Sequence, residues 1–155
     1  MFEKKYSPVT VKGHWDAKLH GEDGSLKQHI QGQNVIVTNG LEFLASYLSS
    51  AVTAASTFTM RYVAVGTDAT AEAASNTALG AELSRVSGNC TYTSGALFTC
   101  VATFAAGVAT GAIVEYGLFS TITSGGGTMF SRDTEAVINK GASDTLTVTT
   151  DVTIS

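Results

Sequence analysis

Three groupings in this chain hold side chains capable of chemistry. The first is His14, Asp16 and His20, which alternate along the run Val9–His20 and so share one face of an extended strand. Imidazole and carboxylate together can ligate a divalent metal or act as an acid–base pair. Strand geometry sets His14 and Asp16 about 6.6–7 Å apart, and His20 lies a further four residues on, too far to share one ion without a bend. Lys12 and Lys18 occupy the same face and would repel a cation. A solvated or partner-contacting face is therefore expected, not a metal site. The second grouping is the carboxylates Glu115, Asp133, Glu135 and Asp144. Two of them brought together would resemble a glycosidase pair, but nothing in the sequence joins them. Gly125–Gly127 after Ser124 invites comparison with a phosphate loop. That loop needs a Lys and a helix behind it, whereas Thr128-Met129-Phe130 continues as strand, so a hairpin tip is expected. All three histidines precede residue 30 and none adjoins a Ser or Cys, and no Gly-x-Ser-x-Gly elbow occurs. No catalytic, cofactor-binding or metal-binding residue is assigned, and no enzyme is expected.

The third grouping is Cys90 and Cys100. If Ser94-Gly95-Ala96 forms the loop between Asn89–Thr93 and Leu97–Phe104, Thr93 faces Leu97 and Cys90 faces Cys100, and a disulfide becomes possible. A slip of one residue would send the sulfurs to opposite faces. In a reducing cytosol two free buried thiols are the favoured expectation.

These residues must be carried by strands. From Thr145 the apolar residues Leu146, Val148, Val152 and Ile154 alternate with Thr145, Thr147, Thr149, Asp151 and Thr153, the signature of a half-buried strand. The opening strand Val9–His20 places Trp15 on its apolar parity. It turns at Gly21-Glu22-Asp23-Gly24, where Asp-Gly is a hairpin signal, and returns over Ser25–Gln31. Asn34–Thr38 is a third strand. Asn39 and Glu42 fit a capping box, and Leu41, Leu44, Ala45, Leu48 and Val52 recur at helical spacing, which predicts one short amphipathic helix over about 40–51. Further strands are expected over Arg61–Gly66, Glu82–Ser87, Asn89–Thr93, Leu97–Phe104, Ala112–Phe119, Thr128–Ser131, Ala136–Asn139 and Thr145–Ile154. Residues 67–80 form a long surface loop, and a loop of that length usually has a task. About ten short strands without βαβ alternation indicate a mainly β fold, an antiparallel β-sandwich of jelly-roll-like type. The expected organisation is an N-terminal arm over 1–7 and a single domain over 8–155.

At 155 residues one domain buries roughly 70% of its unfolded surface without needing a metal or disulfide. Charged residues are only 14% of the chain, against about 25% in ordinary soluble domains. Such a surface suits a protein that lives against neighbours. A net charge of −4 with scattered basic residues argues against nucleic acid. No apolar run is long enough to span a bilayer, and the opening Met1–Ser7 is charged and polar, unlike a secretory signal, so synthesis in the cytoplasm is expected. Within strands of so charge-poor a chain, Arg85, Arg132, Glu115 and Asp144 are expected to be paired or at an interface, with Arg132–Asp133 and Lys140–Asp144 as candidate contacts.

Several stretches together carry a resemblance. They are the opening strand pair, Thr38-Asn39-Gly40-Leu41 entering a helix, Val65-Gly66-Thr67 followed by Asn76-Thr77-Ala78-Leu79-Gly80-Ala81-Glu82, Glu115-Tyr116-Gly117-Leu118-Phe119, and Ala142-Ser143-Asp144-Thr145-Leu146-Thr147-Val148. With these the chain resembles small virion structural proteins of tailed bacteriophages, among them capsid decoration (cement) proteins and tail or baseplate components. The resemblance implies no catalytic residue. It implies binding to the major capsid protein lattice at the capsid surface, contact with copies of itself as a dimer or trimer, and neither nucleic acid nor membrane as partner. Phe2, Lys4, Lys5 and Tyr6 of the arm, with Asp68, Glu72 and Asn76 of the long loop, are the expected partner contacts. A tail, baseplate or fibre component is the alternative within the class. A host-glycan-binding module is the alternative outside it, although exposed aromatics for sugar stacking look few.

Overall fold

A computed structural model describes residues 8–48 and 59–155. Ten strands and one helix follow in the order β1 (Val11–His20), β2 (Leu26–Gly32), β3 (Val35–Ile36), α1 (Thr38–Leu48), β4 (Tyr62–Gly66), β5 (Glu82–Ser87), β6 (Asn89–Thr93), β7 (Leu97–Phe104), β8 (Gly111–Phe119), β9 (Met129–Lys140) and β10 (Thr145–Ile154). They form two five-stranded sheets, ordered β2-β1-β10-β7-β6 and β3-β9-β8-β4-β5, and every pairing is antiparallel. The mainly β, two-layer architecture read from period-two patterning is the one observed.

The core lies between the sheets. Trp15, Ala17 and Leu19 of β1, Leu146, Val148 and Val152 of β10, and Cys100, Ala102 and Phe104 of β7 face Val63 and Val65 of β4, Ile113, Tyr116 and Leu118 of β8, and Phe130 and Ile138 of β9. Burying each large apolar side chain contributes about 1.5–3 kcal/mol. The outer face of the first sheet carries Lys12, His14, Asp16, Lys18, Thr99, Thr103, Thr147, Thr149 and Thr153, set in register across β1, β10 and β7. The outer face of the second sheet is covered. Residues 67–81 fold over it, and Leu79 joins Val37, Ala64, Phe119 and Met129 in a smaller apolar cluster.

The helix begins earlier than the capping box predicts. The amides of Gly40 and Leu41 both donate to Val37 O, so Thr38 already belongs to the first turn. Its expected end, residues 49–51, lies outside the described residues. The two expected strands 128–131 and 136–139 are one continuous β9. The charged run Arg132-Asp133-Thr134-Glu135 does not interrupt it, because alternation sends Arg132 to the outer face and Asp133 inward, opposite Tyr116. Asn34–Thr38 contracts to the two-residue β3, since Val37 pairs with Phe130 O and then turns into the helix.

Candidate interaction surfaces

Most residues able to do chemistry serve as structural ties. Asp16 on the outer face of β1 accepts hydrogen bonds from His29 Nε2 and Gln31 Nε2, each at 2.7 Å, and pairs with Lys18 at 3.3 Å. Burial raises its pKa, but those three donors outweigh it and hold the carboxyl below its usual value. Asp16 thus ties β1 to β2 instead of meeting His14 and His20. Among the described residues no group of three or more His, Cys, Asp or Glu side chains is arranged to hold a metal.

Glu115 organises the second sheet's outer face. A register shift in β8 between Ile113 and Glu115 flips the strand's parity. Ile113 and Tyr116 both face the core, and Glu115 is turned outward beneath the long loop. There it is 0% exposed and accepts the amides of Asp68 (3.2 Å), Gly80 (2.9 Å) and Ala81 (2.8 Å). It also takes Arg132 Nη2 at 2.9 Å and Nε at 3.3 Å. Arg132 reaches on to Asn76 Oδ1 at 3.2 Å and Asp68 Oδ2 at 3.4 Å. Asn76 Oδ1 also receives the Ala73 amide at 2.7 Å, and Thr134 Oγ1 donates to Glu72. Asp68, Glu72 and Asn76 therefore all face this lock and fasten residues 67–81 to β8 and β9. Thr70, through its hydroxyl and then its amide, holds the Asp68 carboxyl below its usual value.

The expected Arg132–Asp133 contact does not form, because neighbours on a strand point to opposite faces. Lys140 meets the main chain of Asp144 and not its carboxylate: Nζ donates to Asp144 O at 2.7 Å and to Ala105 O at 3.0 Å. The Asp144 carboxylate pairs instead with Lys27 at 2.8 Å and caps Gly141 N at 2.9 Å. Arg85 lies 3.6 Å above the Phe119 ring, grips Glu82 with two nitrogens, and donates to the carbonyls of Thr121, Thr123 and Gly126. It closes the β8–β9 connection, whose Gly125 and Gly127 take positive φ, as the hairpin-tip reading requires.

Asp133 on the inner face is 1% exposed, and its Oδ2 has no hydrogen-bond partner among the described residues. A Cβ at Gly32 would lie 3.1 Å from Asp133 Oδ2 and inside the van der Waals envelope of Glu135 Oε1, so both carboxyls converge on that glycine. Burial first, then the charges of Glu135 and Glu72, push the Asp133 carboxyl up to about 7. Burial, with Asp133 and Glu135 beside it, also raises the Tyr116 hydroxyl.

Cys90 and Cys100 face each other in the expected register and are bonded, with no free cysteine among the described residues. This corrects the expectation of free thiols: compartment chemistry favoured thiols, while the hairpin register brings the sulfurs together. The bond borders an apolar groove of about 740 Å³ lined by residues of both sheets and of α1. Phe43 and Tyr47 of α1, Met60, Tyr92, Phe98 and Ile154 line it, with Arg61 at its rim. Tyr47 and Tyr92 remain 62% and 79% exposed. Sequence reasoning missed this groove, because its lining comes from strands and a helix distant in the chain. Phe2, Lys4, Lys5 and Tyr6 lie outside the described residues.

No helix among the described residues is long and apolar enough to cross a membrane. Compared with known protein families, with curated proteins and with solved structures, the chain finds no match in any of the three.

Proposed function

We propose that this chain is a bacteriophage virion structural protein, most specifically a capsid decoration protein that binds the major capsid protein lattice and copies of itself. The observation carrying this reading is how its resembling motifs meet in space. Val65-Gly66-Thr67, Asn76–Glu82 and Glu115–Phe119 come from three separate parts of the chain and converge on one lock around Glu115. Thr38–Leu41 sits beside it, where Gly40 packs on the main chain of Phe130. Three of the five resembling stretches thus share one structural unit, and its rigidity supports the reading. Buried charges spent on fastening loops, together with a broad Thr-rich sheet face open to contact, suit a protein that reinforces a shell. Mixing the protein with empty capsids tests this: saturable binding in many copies per shell is expected. Binding to isolated tails and not to shells would transfer the assignment to a tail, baseplate or fibre component.

A second reading has its own observation. Tyr47 and Tyr92 expose ring surface at one groove, as sugar-stacking sites do. A glycan array would favour a host-glycan-binding module if one sugar bound and Tyr47→Ala and Tyr92→Ala each abolished the signal.

A further inference from the structure

We propose that the seam where β2 meets β9 binds a hard divalent cation of the calcium type, with the carboxylates of Asp133 and Glu135 as its charged ligands. This inference does not rest on the virion reading. Every other buried charged side chain among the described residues has its partners: Arg85 holds Glu82, Arg132 holds Glu115, Asp144 holds Lys27, and Lys140 donates to two carbonyls. Asp133 is the exception, with Oδ2 buried and unpartnered. Neither it nor Glu135 forms an ion pair with a described residue. Two carboxylates drawn together away from water repel each other, and a divalent cation between them is the charge that balances both.

The backbone gathers the remaining donors. Asp133 Oδ2 and Glu135 Oε1 both lie within 3.1 Å of the point a Cβ would occupy at Gly32, so the missing side chain leaves one small volume that both oxygens face. Val35 pairs with Arg132, which sets Asn34 level with Asp133, and Tyr116 is the partner of Asp133 on its other side. Asn34 Oδ1, Tyr116 Oη and Ser131 Oγ, all on side chains more than nine-tenths buried, have no hydrogen-bond partner among the described residues. Calcium is held by carboxylate and Asn carbonyl oxygens completed by water, the set that Asp133, Glu135 and Asn34 supply. The Tyr116 and Ser131 hydroxyls and the unpartnered Trp15 Nε1 bond the water the ion retains. Glu72, a further carboxylate near Asp133, is engaged by Thr134 on the outer face. Glu135 is partly exposed, which gives the ion its way in from solvent.

Trp15, the single tryptophan of the chain, reports on the site directly. It pairs with Gly32 across β1 and β2, and its ring stands 5.7 Å from that of Tyr116. Terbium occupies calcium sites and luminesces when an adjacent aromatic ring absorbs for it. Full-length protein mixed with terbium is expected to emit on excitation of Trp15, and calcium should displace that emission. Calcium should also raise the melting temperature at pH 8 above its value in chelator. At a free concentration a hundred times the dissociation constant, the ratio of folded to unfolded protein should rise about a hundredfold. Glu135→Gln, on a partly exposed side chain, should abolish both responses, whereas Glu22→Gln at the exposed β1–β2 turn should leave both intact. The proposal is overturned if millimolar calcium leaves the melt of the unmutated protein unchanged, the result expected of a seam filled by water alone. It is equally overturned if calcium does not displace the terbium, or if either response survives Glu135→Gln. The unmutated protein is measured first, so its indifference to calcium would end the matter whatever the variants do.

Discussion

A single buried carboxyl dominates the expected pH response. The Asp133 side chain is pushed up to about 7 in the folded protein, while its ordinary value is 3.8. The folded state therefore holds this proton more tightly than the unfolded chain does. Asp133 supports the fold fully below its unfolded value, and that support is lost as pH rises through about 7. Each unit of separation is worth about 1.4 kcal/mol. The lowered carboxyls Asp16, Asp68 and Asp144 act with the opposite sign, but their contribution disappears only as pH falls below the ordinary carboxylate range. The two windows do not overlap. Thermal melts should show greater stability at pH 5 than at pH 8, and Asp133→Asn should raise the melting temperature at pH 8 and flatten the difference. Equal stability of the unmutated protein at both pH values would remove Asp133 from this role.

Among the elements, the loop over residues 67–81 behaves as part of the sheet beneath it. Glu115→Ala would strip three loop amides of their acceptor and leave Arg132, which is 2% exposed, with only the longer 3.4 Å contact to Asp68 as a carboxylate partner. Removing one member of a buried pair costs about 3–5 kcal/mol, which urea denaturation would read. Protease cutting inside 67–81 should accelerate in the same variant. Gly40 makes a sharper prediction. Replacing glycine by alanine inside a helix ordinarily gains about 1 kcal/mol. Here a Cβ would lie 3.0 Å from both the carbonyl carbon and Cα of Phe130, and closer still to its oxygen. Gly40→Ala should therefore destabilise the protein by lifting α1 off β9, and an increase in melting temperature would show that the helix has room. Strands β5, β6, β7 and β10 were legible to the residue: β10 and the second half of β7 alternate between buried and more exposed positions, and the Ser94-Gly95-Ala96 turn sets where β6 ends and β7 begins. The lock was legible only in part. Buried charges within strands signalled pairing, but their partners depended on the β8 register shift, which reverses which residues face inward and leaves no mark in local composition.

Taken whole, the molecule is two sheets whose crossings are fastened unequally. Asn34 N bonds Gly13 O at 3.3 Å where β2 leads to β3, Gly107 N bonds Ala142 O at 2.7 Å after β7, and Lys140, Asp144 and Lys27 close the β9–β10 turn. The groove end is held differently. There the Gly88 amide meets Arg61 O at 2.6 Å, and the Cys90–Cys100 bond locks edge strand β6 onto β7. Edge strands have a partner on one side only, so β6 depends on that covalent tie more than any inner strand would. Reduction should cost roughly 2–4 kcal/mol, in line with disulfides generally. The loss should also be local. Amide hydrogen exchange in β6 and in Phe98 of β7 should quicken on reduction, while the Gly80 and Ala81 amides held by Glu115 at the far side of the second sheet keep their protection. Uniform loss of protection would mean that the sandwich opens as one cooperative unit and that the groove end has no independence. Local loss would identify it as the place where this otherwise closed scaffold can yield to a partner.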